Sequence, residues 1–315
     1  MPEKIPSSFV LNPEVAQALA LNLPLVALET TVITHGLPQP VNLQLGRDME
    51  KEVRSQSAVP ATIGILDGKV HIGLEDAQLE RLASGKTPVR KISRRDFGIA
   101  IARHEDGGTT VAGTITAAHL VGIRVMATGG IGGVHRNAPF DMSSDLPALG
   151  ATPIVVVCSG AKAILDLPAT LETLETMGVP VVGYHTDELP AFYSRGSGLP
   201  VTVTATSPAE IAAIALSQWE MGISSAILVV NPPPEDVALP NEEVERAIQQ
   251  ALLEAEQKQI HGAAVTPFLL QRVSEISGGS SLKANLALLL SNARLAGRIA
   301  VEINRKIQKG SLFYV

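Results

Sequence analysis

Six short, almost wholly apolar runs recur before residue 231, at 25–28, 61–66, 124–127, 154–158, 179–183 and 226–230. Runs this short, apolar at consecutive rather than alternate positions, are strands buried on both faces, the pattern of a parallel sheet covered by helices. The segments between them carry helix-start signals. Ser207-Pro208-Ala209-Glu210 is a capping box with proline in the first turn, Asn12-Pro13-Glu14 and Thr266-Pro267 repeat the signal, and Ser93-Arg94-Arg95-Asp96 reads as a further start. Asp67-Gly68 between two apolar runs is a hairpin turn, so one antiparallel excursion is expected. After Val230 the run Asn231-Pro232-Pro233-Pro234 breaks the alternation and only helices come after it, the last over about 280–309. The expected fold is a three-layer α/β/α sandwich with a mostly parallel, mixed sheet and a helical C-terminal segment, forming one domain over 1–315.

Composition narrows the function. The net charge is −6 and there are ten aromatic residues (Phe 6, Tyr 3, Trp 1), so neither a basic face nor stacking platforms for nucleic acid are expected. The lone cysteine, Cys158, permits no internal disulfide and suits a reducing compartment, hence a cytoplasmic expectation. No segment reaches the ~18 apolar residues of a membrane span, and the first fifteen residues lack a signal-peptide core.

In open parallel sheets ligands bind beyond the carboxyl ends of the strands, which directs attention to the residues just after each apolar run. Glu29 ends the first. A carboxyl there is either a structural, paired acid or a general acid whose pKa burial has raised. Cys158-Ser159-Gly160-Ala161-Lys162 closes another run, with a helix expected to begin near Ala161. Lys162 in a first helical turn reads either as a Schiff-base nucleophile or as an anion-holding or solvated lysine. Thr128 to His135 is glycine-rich and brings backbone N–H groups near an anion, or simply forms a tight loop; it is not a dinucleotide fingerprint, and no phosphate-binding Gly-Lys-Ser/Thr loop occurs. Asp141 and Asp145, with Ser143 and Ser144 between, offer hard oxygen donors for Mg²⁺ or Mn²⁺, or a helix cap. Lys91, Arg94 and Arg95 suggest a phosphate site, and Thr109 to Gly113 a second strand-to-helix turn.

The motifs Ala-Leu-Glu-Thr-Thr-Val-Ile-Thr-His-Gly at 27–36, Val-Pro-Ala-Thr-Ile at 59–63 and Lys-Ile-Ser-Arg-Arg-Asp at 91–96 occur in order. So do Ala-Thr-Gly-Gly-Ile-Gly-Gly-Val-His-Arg at 127–136, Gly-Ala-Lys at 160–162, Ile-Leu-Asp-Leu at 164–167 and Thr-Pro-Phe-Leu-Leu at 266–270. Together they resemble the pseudouridine-5'-phosphate glycosidase family, including its indigoidine synthase A-like branch, from about residue 13 to about residue 305. The resemblance implies reversible cleavage of pseudouridine 5'-phosphate by water to uracil and ribose 5-phosphate, with a divalent metal, usually manganese, in a homotrimer. By the same likeness Glu29 is the proton donor and Lys162 the nucleophile; because a carbon-carbon bond offers no base nitrogen to protonate, the route expected of these two residues is an imine of Lys162 with ring-opened ribose. Lys91, Val111, Ser143, Ser144, Asp145 and Asn285 contact substrate, and Asp141 binds the metal. The loop before Asp141 is shorter than in the family pattern, and Ser144 stands where the family carries alanine. Three rivals remain: a lyase for another C-nucleotide, a sugar-phosphate-binding regulator without turnover, and an acyl transferase built on Ser159-x-x-Lys162, which lacks its companion motifs.

Overall fold

The computed structural model describes residues 5–136, 138–260 and 265–311. Its strands are β1 (Phe9–Leu11), β2 (Leu25–Leu28), β3 (Val59–Leu66), β4 (Lys69–Ile72), β5 (Val89–Ile92), β6 (Asp106–Thr109) and β7 (Val125–Ala127). Then come β8 (Val134–His135), β9 (Ala138–Met142), β10 (Val155–Cys158), β11 (Leu165–Asp166), β12 (Val181–Tyr184), β13 (Val203–Ala205) and β14 (Ile227–Val230). The helices are α1 (Pro13–Ala20), α2 (Val41–Ser55), α3 (Asp76–Ala83), α4 (Phe97–Ala102), α5 (Val111–Leu120) and α6 (Asp145–Leu149). They are followed by α7 (Leu167–Thr176), α8 (Pro208–Glu220), α9 (Asn241–Gln257), α10 (Val265–Ile276) and α11 (Ser280–Ser311).

The six apolar runs become β2, β3, β7, β10, β12 and β14, which lie side by side in the order β3-β2-β7-β10-β14-β12 and are all parallel. Their residues are buried almost throughout, which is why the sequence shows runs instead of alternation. The antiparallel excursion is the β3–β4 hairpin, turning at Asp67 (φ 49°) and Gly68 (φ 72°), the paired positive φ of a type I′ turn. β6 pairs antiparallel with β3 and parallel with β5.

Helices cover both faces. α2 and α11 pack on each other and on β3 and on β2, β7 and β10 respectively, whereas α5 packs on β2 and β3, with α6 against α5. The helical C-terminal segment does fold back, with α11 seated between α2 and α8. One apolar cluster runs from Val15 to Ile303. The N-caps hold: Asn12 Oδ1 accepts the Glu14 N–H at 2.9 Å and Ser207 Oγ that of Glu210 at 3.3 Å, but the expected capping box does not close, because the Glu210 carboxylate reaches back to the Thr206 N–H at 2.9 Å and not to that of Ser207. α10 begins at Val265, and the side chains of Thr266 and Pro267, like all of Asn137, lie outside the described residues.

Two expected helix starts are corrected. No helix opens at Ser93; Ser93–Asp96 is a turn in which Asp96 accepts from the Ser93 N–H at 3.0 Å and hydroxyl at 3.1 Å, and α4 starts at Phe97. Nor does one open near Ala161. The backbone after β10 instead continues the ladder beside the glycine loop: Ser159 N–H to Gly129 C=O at 2.8 Å, Ile131 N–H to Gly160 C=O at 3.1 Å, and Lys162 N–H to Ile131 C=O at 3.1 Å. A helix would have broken these bonds, and α7 waits until Leu167, capped by Asp166.

Candidate active site

Beyond the carboxyl ends of β2, β5, β7 and β10 lies a cavity of about 190 Å³ whose walls include Glu29, Lys91, Thr128, Lys162 and, from α11, Asn285. Glu29 leaves β2 with its carboxyl buried, and the chain then makes a single π-helical turn, Val32–Gly36, that puts His35 on the same wall. Such turns recur at functional sites. Threonines fasten this corner: Thr30 and Thr109 both donate to the Ile63 carbonyl, at 2.7 and 2.8 Å, tying the ends of β2, β3 and β6.

Burial holds the Glu29 carboxyl pKa above its ordinary value, and Asp145 pushes the same way. Lys162, the donated Thr128 hydroxyl bond to Oε1 and Lys91 oppose it. Lys91 is open to the cavity, yet the protein packed around its amine and then the Lys162 charge depress its pKa, against Asp145 and Glu29. His35 is pushed down by burial and by Lys91, so it stays neutral near pH 7, with Nδ1 2.7 Å from the Thr34 hydroxyl. Asn285 contributes a buried Oδ1 with no hydrogen-bond partner among the described residues, an acceptor left for a donor in the cavity.

Lys162 is held by the ladder described above, so the helix-dipole argument for its reactivity does not apply; its placement in the cavity stands. Lys91 lies on β5 and not at a helix start, and the expected three-cation cluster does not converge, because Arg94 and Arg95 are exposed away from the cavity wall. Val111 opens α5 with its side chain in the core, leaving its main chain as the part available to a ligand. Asp145 is buried at the start of α6 and accepts the Ala112 N–H at 2.8 Å and the Gly132 N–H at 2.9 Å. Ser143 faces the glycine loop, its N–H bonded to Gly133 C=O at 2.9 Å, and Ser144 is exposed.

Asp141 sits exposed on β9, in the small antiparallel sheet β11-β8-β9, and its carboxylate carries no hydrogen bond or ion pair among the described residues. No group of three or more His, Cys, Asp or Glu side chains converges among the described residues. A lone, hydrated carboxylate such as that of Asp141 fits an ion such as Mg²⁺ or Mn²⁺ that keeps most of its water. A larger cavity of about 990 Å³ between α9 and the β11–α7 segment contains none of the expected site residues. The glycine-rich stretch that opens at Thr128 does reach the cavity, through Thr128, Gly129 and Gly130, but the Thr128 hydroxyl bond to Glu29 was not foreseen, nor were Thr31, His35 and Phe192 as wall residues. Phe192 comes from an irregular stretch after β12 that no pattern marks.

The fold and site define an α/β/α protein that presents a buried acid and an amine to one strand-end pocket. The chain belongs to the Indigoidine synthase A like protein family, whose match spans residues 14–302. It is 53% identical over 301 residues to a pseudouridine-5'-phosphate glycosidase of Paracoccus denitrificans, covering 94% of this chain and 98% of that one. A protein of the same name from Herpetosiphon aurantiacus is 50% identical, covering 96% and 100%. Among solved structures, the prealnumycin C-glycosynthase AlnA in complex with ribulose 5-phosphate superposes with TM-score 0.89 at 41% identity, covering 96% of this chain and 99% of that one. An indigoidine synthase A-like protein of Thermotoga maritima gives 0.88 at 37%, with the same coverage.

Proposed function

We propose that this chain cleaves the C–C glycosidic bond of pseudouridine 5'-phosphate, reversibly, giving uracil and ribose 5-phosphate. The observation that carries the reading is the meeting of Glu29, Lys162 and Lys91 in one cavity with the Glu29 carboxyl pKa raised by burial. A C-nucleoside has no base nitrogen whose protonation would ease departure, so a carboxyl and an amine must open the sugar first. Glu29 gives a proton to O4′ as the C1′–O4′ bond breaks, and Lys162 Nζ bonds to C1′. The proton released by the amine returns to the Glu29 carboxylate; the C1′–C5 bond then breaks as the nitrogen lone pair forms C=N and C5 takes up that proton, uracil leaves, and the remaining Lys162–C1′ imine is hydrolysed by water to ribose 5-phosphate and the free amine.

Lys91 and the Val111 amide at the start of α5 hold the phosphate, the amide because helix N-termini favour anions. Ser143, Ser144 and Asp145 complete the contacts to the sugar phosphate, and Asn285 Oδ1 takes an N–H of the base. A divalent ion, manganese or magnesium, would be held by Asp141 and would supply charge neutralisation beside the phosphate. Ser159 is excluded as a nucleophile: it is fully buried and donates its hydroxyl proton to the Asn231 carbonyl at 2.9 Å.

A homotrimer and a cytoplasmic location belong to the same reading. The single cysteine is buried, which leaves it no disulfide partner, and no helix among the described residues is long and apolar enough to cross a membrane. Uracil release from pseudouridine 5'-phosphate with Mn²⁺, with a chelated control, tests the function; light scattering tests the trimer. Borohydride reduction with ribose 5-phosphate should add one sugar phosphate to Lys162. Binding of ribose 5-phosphate without release of uracil would replace the proposal with a regulator or a lyase for another C-nucleotide.

A further inference from the structure

Far from the catalytic strands in sequence, α11 sends one wholly buried amide into the end of the sheet. Asn292 is 0% exposed, and it lies on the helix face that also carries Asn285 and Leu289 into the cavity. Its Nδ2 donates to the Thr128 carbonyl at 2.9 Å and to Ser159 Oγ at 3.1 Å. Its Oδ1 accepts from Asn231 Nδ2 at 3.0 Å. The orientation is forced, because a main-chain carbonyl only accepts and so must face the amide nitrogen. The rest of the cluster is equally committed: Ser159 donates to the Asn231 carbonyl at 2.9 Å, and Asn231 Nδ2 to Ser291 Oγ at 3.0 Å.

Thr128 is where this network meets the site. Its N–H is fixed by the Val157 carbonyl at 3.0 Å, its C=O by Asn292, and its hydroxyl donates to Glu29 Oε1. We infer that Asn292 is a positioning residue, which aims the Thr128 hydroxyl at Glu29 by pinning the Thr128 peptide. A second consequence is that α11 couples the Asn285 wall of the cavity to its Glu29 wall. The inference rests on the proposed role of Glu29.

The bond from Thr128 favours the ionised form of Glu29, so loosening it moves the Glu29 midpoint upward. The other charged or titratable groups facing Glu29 are Lys162 after β10, Lys91 on β5, Asp145 on α6 and His35 on the π-turn, and none of them touches Asn292.

The test is infrared titration of the Glu29 carboxyl, identified as the band missing from Glu29→Gln, in the wild type, Thr128→Val, Asn292→Leu and the double variant. Thr128→Val should raise the midpoint and Asn292→Leu should raise it too. The double variant should move no further than Thr128→Val alone, since both act through one hydroxyl. An Asn292→Leu midpoint equal to wild type with a lowered Tm would reduce Asn292 to a structural amide and overturn the inference, as would additive shifts. If Asn292→Leu does not fold, Asn292→Ala removes the same donor to the Thr128 carbonyl without inserting a new side chain; the same upward shift is expected, and an unmoved midpoint overturns the inference. Because the titration reads Glu29 whether or not substrate turns over, a wild type that releases no uracil would sink the functional proposal alone.

Discussion

Asp141 and Asp145 stand four residues apart, and both look like ligand carboxylates in the sequence, but the structure gives them opposite energetics. Replacing Asp145 by Asn separates them. Its two oxygens accept main-chain N–H groups from α5 and from the glycine loop, at Ala112 and Gly132, in a buried setting. An amide can accept only one of these, and its NH₂ then points at the second N–H. The loss is one charge-assisted bond, ~1.5–3 kcal/mol, plus weakening of the other and a buried donor left unpaired, for a total of about 3 kcal/mol. For a chain of 315 residues the unfolding entropy is about 0.66 kcal/mol/K at about 2.1 cal/mol/K per residue, so Tm should fall by about 4–5 °C. Asp141→Asn removes an exposed carboxylate with no partner among the described residues and should stay within about 0.5 kcal/mol of wild type. Differential scanning calorimetry of both variants is the assay, with metal dependence of uracil release measured alongside. Asp145→Asn should also lower the Glu29 pKa, since the Asp145 charge helps to hold it up. A Tm within about 1 °C of wild type, with only KM raised, would refute the reasoning and make Asp145 a pure substrate contact.

The same geometry sets further outcomes. Glu29→Gln should abolish turnover yet stabilise the fold: the folded pKa is raised above the unfolded value of about 4.3, so the burial penalty is absent below that pH and grows as pH rises. The Tm gain over wild type should therefore be larger at pH 8 than at pH 5, and a constant difference would contradict the assignment. Lys162→Ala should lose both turnover and the borohydride-trapped adduct, and substantial remaining activity would end the imine scheme. Lys91→Met should lower kcat/KM by roughly 10- to 100-fold, the equivalent of one charge-assisted bond at ~1.5–3 kcal/mol, with little effect on Tm. Gly132→Ala should disable the site, because a Cβ there would stand 2.2 Å from Ser143 Oγ and 3.0 Å from Asp145 Oδ2; wild-type kinetics would show that the glycine loop yields freely.

How much of the site the chain disclosed in advance depends on how each part is built. β2, β7 and β10 are buried on both faces, so burial wrote itself into consecutive apolar residues, and the strand-end rule then delivered Glu29 and Lys162. β5 and β6 left no such trace. β5 is Val-Arg-Lys-Ile, half-covered and carrying the cavity lysine, and β6 is Asp-Gly-Gly-Thr, a strand with almost no side chains. Its glycines are demanded by neighbours, since a Cβ on Gly107 would meet Ile92 at 2.4 Å and one on Gly108 would meet Thr34 Oγ at 2.2 Å. The helix expected at Ala161 failed for a related reason: alanine and lysine after Gly160 suit a helix locally, but the loop at 129–131 offered the same backbone groups a ladder, and Gly160 (φ 85°) sits where a side chain would strike the Pro190 carbonyl at 2.3 Å. Local propensity is silent about a partner thirty residues away. Asn292 carries that limit furthest. A polar residue inside an apolar helix face is visible as an oddity, but its meaning lies in Thr128 and Ser159, 164 and 133 residues earlier. Positioning residues of this kind are read from the closed hydrogen-bond account of a buried amide, which only the folded chain supplies.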